Sequence, residues 1–349
     1  MRFNRIATLG LALLLVIPGA AKAAGSSDKA LYAVADSYYR EGFAMDPVDA
    51  TDIGVHTYDA QLGSFTAAGF AERIARSHRA LTSLRAIDPK TLSTEAGYDY
   101  KIFQSSLRGD LLRLETDQDW KHHPGFYTGT AAGAIYALIK RNFAPPEVRL
   151  RAVIAREEKI PAMLQDAAAN ITTVDATTAQ IESADVKGSA EFFRQTVPQG
   201  FATVKDAALT ARLLQANAAV IAAIGKYAAA MDAGPFAHPS GTYAIGPKEY
   251  EQRLTLQELT PIPLREYERV GLAALAQYKT QFIATARKID ATKTPRQVMN
   301  EIAAEHPAPE QLLPDAQKVL AQLRAFVVSH HIVTLPAAFD IKVVPTPVF

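Results

Sequence analysis

The sequence predicts a mainly α-helical fold with one or two short β-strands near its C-terminal end. Apolar residues recur at helical spacing along most of the chain, whereas the period-two alternation of a strand occurs only in its last third. The 349 residues include no cysteine, so disulfides and thiolate sites are excluded and an apolar core must hold the helices together. This length suits one large domain or two ordinary ones.

The first 23 residues have the three regions of a secretory signal peptide. Arg2 and Arg5 precede an apolar run over residues 9–17, and the small residues of 21–23 favour cleavage after Ala23. This apolar run is much shorter than the roughly 20 residues that a membrane-spanning helix needs. We therefore expect an exported protein, periplasmic or secreted, that has no membrane partner once the signal is removed.

The charge balance excludes another class of partner. Loss of Arg2, Arg5 and Lys22 with the signal changes the formal charge of the chain from +1 to −2. A nearly neutral chain without a basic stripe lacks the electrostatic footprint of a nucleic-acid-binding protein. We therefore expect no nucleic-acid partner.

Five stretches of the mature sequence predict helices before residue 232. Apolar side chains recur at i, i+3, i+4 and i+7 within residues 31–38, 70–84 and 102–114. The two prolines of 145–146 predict the start of another helix, because the first helical position does not need the N–H that proline lacks. An alanine-rich stretch over 201–231 predicts a helix that packs closely against its neighbours.

Proline and glycine mark the main internal connection, which we place at residues 232–247. This segment contains three prolines and three glycines, so a helix cannot run through it. Beyond it, residues 264–282 keep one apolar helical face, and residues 294–297 form a capping box with proline at the first helical position. A last helix is predicted over residues 309–330.

The strand signals lie in two short segments. Residues 339–343 alternate apolar and charged side chains, and residues 242–245 form a second candidate flanked by glycine. A strand needs the backbone groups of a neighbour, and two such short strands form only a marginal ribbon. The pattern therefore predicts that further strands lie in sequence beyond residue 349 and that the chain is the front portion of a longer protein.

The common catalytic motifs are missing from the sequence. No two of its eight histidines have the three- or four-residue spacing that would place both imidazoles on one helix face. Residues 26–29 match the S-x-x-K motif of penicillin-recognising enzymes, but they directly follow the cleavage site and no K-T-G motif comes later. We therefore expect neither a catalytic nor a metal-binding residue in this chain.

An acidic stretch over residues 46–62 contains His56, which is a candidate residue of a substrate cleft on the picture that the family resemblance given below implies. Its ring lies four residues after Asp52, and such a pair could hold a proton or a metal across one helical turn. The favoured alternative is local hydrogen bonding, with Asp46 capping a helix that begins at Pro47.

An aromatic patch over residues 120–127 supplies the second cleft candidate, Tyr127. Rings with polar tips suit a binding cleft, although they suit a loop packed on the core equally well, and the core alternative is favoured. Gly129 and Gly133 follow at a spacing that more often permits close helix contact than ligand binding.

Three stretches, residues 46–62, 246–275 and 324–349, are similar in content, order and spacing to a known family. The chain resembles the bacterial family catalogued as domain of unknown function 885 along essentially its whole mature length. The resemblance implies a zincin-like metallopeptidase fold, of which this chain is the multi-helix N-terminal region, and a zinc ion in full-length relatives.

The resemblance also implies that the histidine–glutamate zinc motif of relatives lies beyond residue 349. No zinc ligand or general base can therefore be transferred to any position here, and no cofactor is expected in this chain. Residues 24–349 are interpreted as the helical portion of an exported peptide hydrolase, inactive alone, with its catalytic part absent. The alternative is a non-catalytic helical module whose partner is a peptide. Whether the chain is itself an enzyme, and its oligomeric state, stay open.

Overall fold

Fifteen α-helices make up most of the structure, a computed structural model that describes residues 25–259, 261–336 and 341–344. The helices, numbered in chain order, are α1 (Ser26–Met45), α2 (Pro47–Asp52), α3 (Ala67–Arg85), α4 (Thr94–Leu111), α5 (Asp119–His122), α6 (Pro124–Ile139), α7 (Pro146–Glu157), α8 (Ile160–Asn170), α9 (Ala176–Glu191), α10 (Val197–Gly200), α11 (Ala207–Ala233), α12 (Pro247–Glu258), α13 (Leu264–Ile289), α14 (Pro295–Ala304) and α15 (Leu312–Ser329). Two π-helical segments, Leu112–Asp117 and Phe192–Thr196, follow α4 and α9 directly.

The helix starts that proline and capping residues predict are confirmed. Helix α7 begins at Pro146, and α14 begins at Pro295 behind a complete capping box between Thr294 and Gln297. The alanine-rich helix begins later than predicted, at Ala207, where the side chain of Asp206 accepts a hydrogen bond from the backbone of Leu209.

Two apolar clusters form the core. The larger one is built by α6, α7, α8, α9 and α11 around side chains such as Ile135, Val153 and Phe193, all of which are fully buried. The smaller one is built by α1, α3 and α4, where Leu84 and Leu107 are fully buried. Helix α11 is long and apolar enough to cross a membrane, but it packs against α7, α8 and α9, as the central helix of a core does.

A fully buried arginine, Arg156 on α7, connects the larger cluster to the segments before it. Its Nε donates to the carbonyl of Gln61 at 2.9 Å and its Nη1 to the carbonyl of Ala134 at 2.6 Å. Its Nη2 donates to the carbonyl of Pro47 and to Oγ1 of Thr51. Burial lowers the pKa of Arg156 to about 10, which still leaves the guanidinium charged at neutral pH.

The neighbouring Glu157 is also fully buried. Its Oε1 accepts a hydrogen bond of 3.2 Å from Nδ2 of Asn217, whereas its Oε2 has no partner within the part of the chain that the structure describes. Burial raises the pKa of Glu157 from 4.5 to about 8, so the carboxyl group is protonated in the folded protein at neutral pH.

The three helices α13, α14 and α15, which we call the distal helices, leave their apolar faces open. Leu275 and Tyr278 of α13 are exposed by 64% and 67%, and Leu323 of α15 by 57%. Their buried side chains are few, Ala286 and Val298 being the ones below one tenth exposure. The helical pattern of 264–282 is therefore confirmed, but the face that it predicts is not buried against any residue that the structure describes.

The predicted short strands do not form in the described residues. Residues 242–245 belong to the irregular connection between α11 and α12, and residues 341–344 are irregular as well. The other residues of the predicted C-terminal strand, 339–340, lie outside the described ranges, and so does the predicted signal peptide. A strand requires a second strand to pair with its backbone groups, and no segment within the described ranges forms one.

We expect Arg156→Met to lower the free energy of unfolding by about 3 to 5 kcal/mol, because it leaves several buried carbonyl groups without donors. The measurement is chemical denaturation followed by circular dichroism. Arg151→Met, on the exposed side of the same helix, is the matched control and should change the value by less than about 0.5 kcal/mol. Equal effects of the two substitutions would contradict the assignment.

We also expect the stability of the protein to fall as the pH rises from about 5 to 8. The pKa of Glu157 is higher in the folded than in the unfolded state, so folding takes up a proton in this window and each pH unit costs up to about 1.4 kcal/mol. Glu157→Gln should flatten this slope in denaturation curves recorded across the window. Glu158→Gln, at the exposed neighbouring position, should keep the slope of the wild type.

Candidate functional site

A cavity of about 520 Å³ lies where the two apolar clusters meet, and we call it the junction cavity. Helices α1, α2, α3, α4 and α6 contribute to its walls, together with the first π-helical segment and the turn before α3. Its apolar wall consists of Val48, Leu62, Phe65, Phe70, Leu114 and Phe126. Its charged side chains are Asp46, Asp49, Asp52, Arg73, Arg76, Asp110 and Arg113.

One end of the cavity holds two arginines and a single carboxylate. Nε of Arg73 donates to Oδ1 of Asp46 at 2.6 Å, and the other Arg73 nitrogens donate to the carbonyls of Ser64 and Met45. Nη1 of Arg76 lies 3.6 Å from Oδ2 of the same Asp46. Asp46 does precede α2 as predicted, but its side chain makes no capping bond, because it pairs with these arginines instead.

The other acidic residues of α2 differ in their partners. Asp52 pairs with Nζ of Lys140 at 2.6 Å. The carboxylate of Asp49 has no hydrogen bond or ion pair among the residues that the structure describes. Partial burial together with the charges of Asp46 and Asp52 raises its pKa, and the more distant charges of Arg113 and Arg73 oppose that shift. The cavity therefore contains one carboxylate that is not directly paired within the described ranges.

A fourth acidic side chain, Asp110 of α4, lines the cavity. Oη of Tyr38 donates to Oδ2 of Asp110 at 3.2 Å, and Arg113 lies 3.9 Å from the same carboxylate. Burial raises the pKa of Tyr38, which therefore stays protonated and able to donate. Arg113 comes from the π-helical segment, a helix irregularity that is frequent at functional sites.

Two glycines of α6 give the cavity part of its volume. A Cβ atom added at Gly129 or at Gly133 would meet no heavy atom within 4 Å, and both residues line the cavity. The sequence predicted that the spacing of these glycines permits close contact with another helix. In the structure the two glycines instead leave open space beside the apolar wall.

His56, the first residue predicted for a cleft, is not among the residues that line the junction cavity. Its Nδ1 lies 3.1 Å from Oδ2 of Asp59, and its ring stacks on Phe143 with 3.7 Å between the centroids. It does not pair with Asp52, because α2 ends at that residue and the helical turn that would join them is absent.

Tyr127, the second predicted residue, is fully buried in the larger cluster. Its Oη donates to the carbonyl of Trp120 at 2.6 Å and accepts from Nδ2 of Asn170 at 3.1 Å, and burial raises its pKa to about 12. The aromatic patch thus packs on the core, as the favoured alternative stated. A contact between substrate and either His56 or Tyr127 in a longer relative stays a prediction.

A zinc site needs three or four histidine, cysteine or carboxylate side chains that converge on one point. No such group is present within residues 25–259, 261–336 and 341–344. These residues do not fit the ion that the resemblance implies for full-length relatives, so zinc chemistry is not assigned to them.

Sequence reasoning missed the arginines of α3. Arg73, Arg76 and Ser77 occupy buried positions on the same stripe as Phe70 and Leu81, and that stripe was identified only by its apolar members. Polar residues at core positions of a helical pattern were the available signal, because a buried arginine must find a partner.

The described residues form a mainly helical protein with a cavity lined by side chains of both charges. The chain belongs to the family described as "Bacterial protein of unknown function (DUF885)", whose model matches residues 47–349. This match confirms the family resemblance of the three stretches. The search of curated proteins found no match to the chain.

A solved structure from Shewanella oneidensis shares the fold. It is described as a candidate lipoprotein of unknown function, is 20% identical in sequence and superposes with a TM-score of 0.66. The similarity covers 88% of this chain but only 59% of the Shewanella chain, so the two share a fold over part of the longer protein.

We expect Gly129→Ala to raise the free energy of unfolding by about 0.5 to 1 kcal/mol, because alanine favours the helix and its methyl group meets only open space. The control is Gly69→Ala, whose Cβ would lie 2.8 Å from the carbonyl oxygen of Ser64 and should destabilise the protein. Thermal and urea unfolding of both variants tests this, and a destabilised Gly129→Ala variant would show that α6 is packed at this point.

Proposed function

We propose that this chain is the helical, substrate-binding portion of an exported, zincin-like peptidase. In this proposal its helices form one wall of the substrate cleft. The zinc ion and its ligands belong to the part of the family fold that the match to this chain does not span. Peptide is the proposed substrate class, and export follows from the predicted signal peptide.

The observation that carries the proposal is the open apolar face of the distal helices. Soluble proteins rarely leave large contiguous apolar surfaces in water, so such a surface marks an interface with another body of protein. Exposed side chains along these helices include Leu272, Leu275, Tyr278, Phe282, Met299, Ile302, Val319, Leu323 and Phe326. The Shewanella structure contains additional chain beyond the shared part, which is the kind of body that would cover this surface.

The description of the Shewanella protein as a candidate lipoprotein agrees with export of this chain. The charged and aromatic walls of the junction cavity also suit a peptide, which has polar ends and side chains of varied character.

The alternative is a non-catalytic module that binds peptides. The junction cavity favours this alternative, since it is complete within the described helices and does not depend on a metal. The two proposals agree that peptide is the ligand, and they differ in whether family members that contain the additional part hydrolyse it.

The test compares two purified proteins in a fluorogenic peptide assay and by elemental analysis. This chain should hydrolyse no peptide and hold no stoichiometric zinc, because no cluster of zinc ligands is assembled within its described residues. A longer DUF885 member should hold one zinc ion per chain and lose its activity with a chelator. Zinc-dependent hydrolysis by this chain alone would overturn the proposal, and an inactive, zinc-free longer member would favour the binding module.

A further inference from the structure

Arg76, on the wall of the junction cavity, has an unusually incomplete set of partners for a buried arginine. Only 9% of the residue is exposed, yet its Nε has no hydrogen-bond partner within the described residues. Nη2 lies 3.4 Å from Oη of Tyr38, and Nη1 lies 3.8 Å from the sulfur of Met45. The carboxylate of Asp46 is 3.6 Å away, beyond hydrogen-bond distance.

Other buried arginines of the protein show what a structural role requires. Arg156 and Arg149 donate from each guanidinium nitrogen to carbonyl or side-chain oxygens. Arg73 does the same within the junction cavity. Arg76 differs because its donors meet a thioether, a phenol and a carboxylate that is already bonded to Arg73. A buried guanidinium whose N–H groups lack acceptors costs stability. Its presence beside a cavity therefore indicates a position where an anion binds.

Asp49 is the complementary feature on α2. It lies three residues after Asp46, which directly precedes that helix, and its carboxylate has no hydrogen bond or ion pair within the described residues. Arg76 and Asp49 both line the junction cavity, so one small molecule in the cavity can contact both side chains.

We propose that the junction cavity binds the charged ends of a short peptide, with its α-carboxylate at the guanidinium of Arg76 and its α-ammonium group at the carboxylate of Asp49. The apolar wall that includes Phe65, Phe70 and Phe126 then receives a side chain of the peptide. A volume of about 520 Å³ is adequate for a molecule of two or three residues.

The charge of the cavity disfavours a polyanion such as phosphate. Three arginines and four aspartates line it, and one of these aspartates, Asp52, pairs with Lys140 outside the cavity lining. The remaining three arginines and three aspartates give the lining no net formal charge. Separated positive and negative side chains in equal number suit a zwitterionic ligand. A dianion such as phosphate would instead be repelled by three carboxylates that no lysine neutralises.

Calorimetry on the whole chain tests the site, with the dipeptide leucyl-phenylalanine as the probe. We expect binding by the wild type, and at least tenfold weaker binding when the probe is N-acetylated or C-amidated. Arg76→Gln should weaken binding of the free dipeptide at least tenfold, but it should not weaken binding of the C-amide further. Asp49→Asn should likewise weaken binding of the free dipeptide at least tenfold, but it should not weaken binding of the N-acetylated dipeptide further.

Two further variants keep the test decisive. Arg79→Gln is the control, since Arg79 is exposed one turn along α3 and does not line the cavity, and its binding should equal that of the wild type. Gly129→Leu fills the cavity from α6 without altering either charged residue, so it should abolish binding even if Arg76→Gln fails to fold.

The site rests on the proposed peptide-binding function for its choice of ligand, and the two can fail separately. If the wild type and both Arg76→Gln and Gly129→Leu bind the dipeptide equally, the junction cavity is not the site, although peptide binding stands. If the wild type binds no peptide at millimolar concentration, both proposals are overturned. Binding of inorganic phosphate as tight as that of the dipeptide would overturn the zwitterion assignment.

Discussion

The structure depends on the buried guanidinium of Arg156. It reaches from α7 to carbonyl groups of Pro47, Gln61 and Ala134, and so fixes α2, the following turn and α6 relative to one another. A charge can remain in this dry position only because each of its nitrogens has an oxygen partner. Since α2 and α6 are also two walls of the junction cavity, the position of Asp49 in the cavity lining depends on a contact made in the core.

Arg156 and Arg76 are both buried arginines, but their guanidinium groups differ in how completely they are hydrogen-bonded. Arg156 is surrounded by oxygen acceptors, and its role is to stabilise the fold. Arg76 is also buried, but it shares the carboxylate of Asp46 with Arg73 and lines the junction cavity. Preorganised donors that the protein leaves unbonded cost stability in the free state, and a ligand recovers that free energy on binding. The same side-chain chemistry thus holds the helices together at Arg156 and, in the proposed site, receives a ligand at Arg76.

The distal helices differ from the other helices because their apolar faces are not buried. Their sequence has the apolar periodicity of core helices, and Tyr278 and Leu323 are nevertheless in contact with water. Amphipathic helices gain most of their stability from burying one face, so helices of this composition are suited to a neighbouring body of protein. The Shewanella structure is longer than the part that this chain matches, which covers 59% of it.

The sequence by itself determined the helices and their starts. Spacing of apolar residues predicted α1, α3, α4 and α13, and the capping box of Thr294 and Gln297 formed as predicted, because these signals act within one or two turns. It could not decide that the ring of Tyr127 lies in the core, or that Nε of Arg76 has no acceptor within the described residues while Arg156 has four oxygen partners. Those outcomes depend on groups tens of residues away in the chain, and only tertiary packing brings such groups within hydrogen-bond distance.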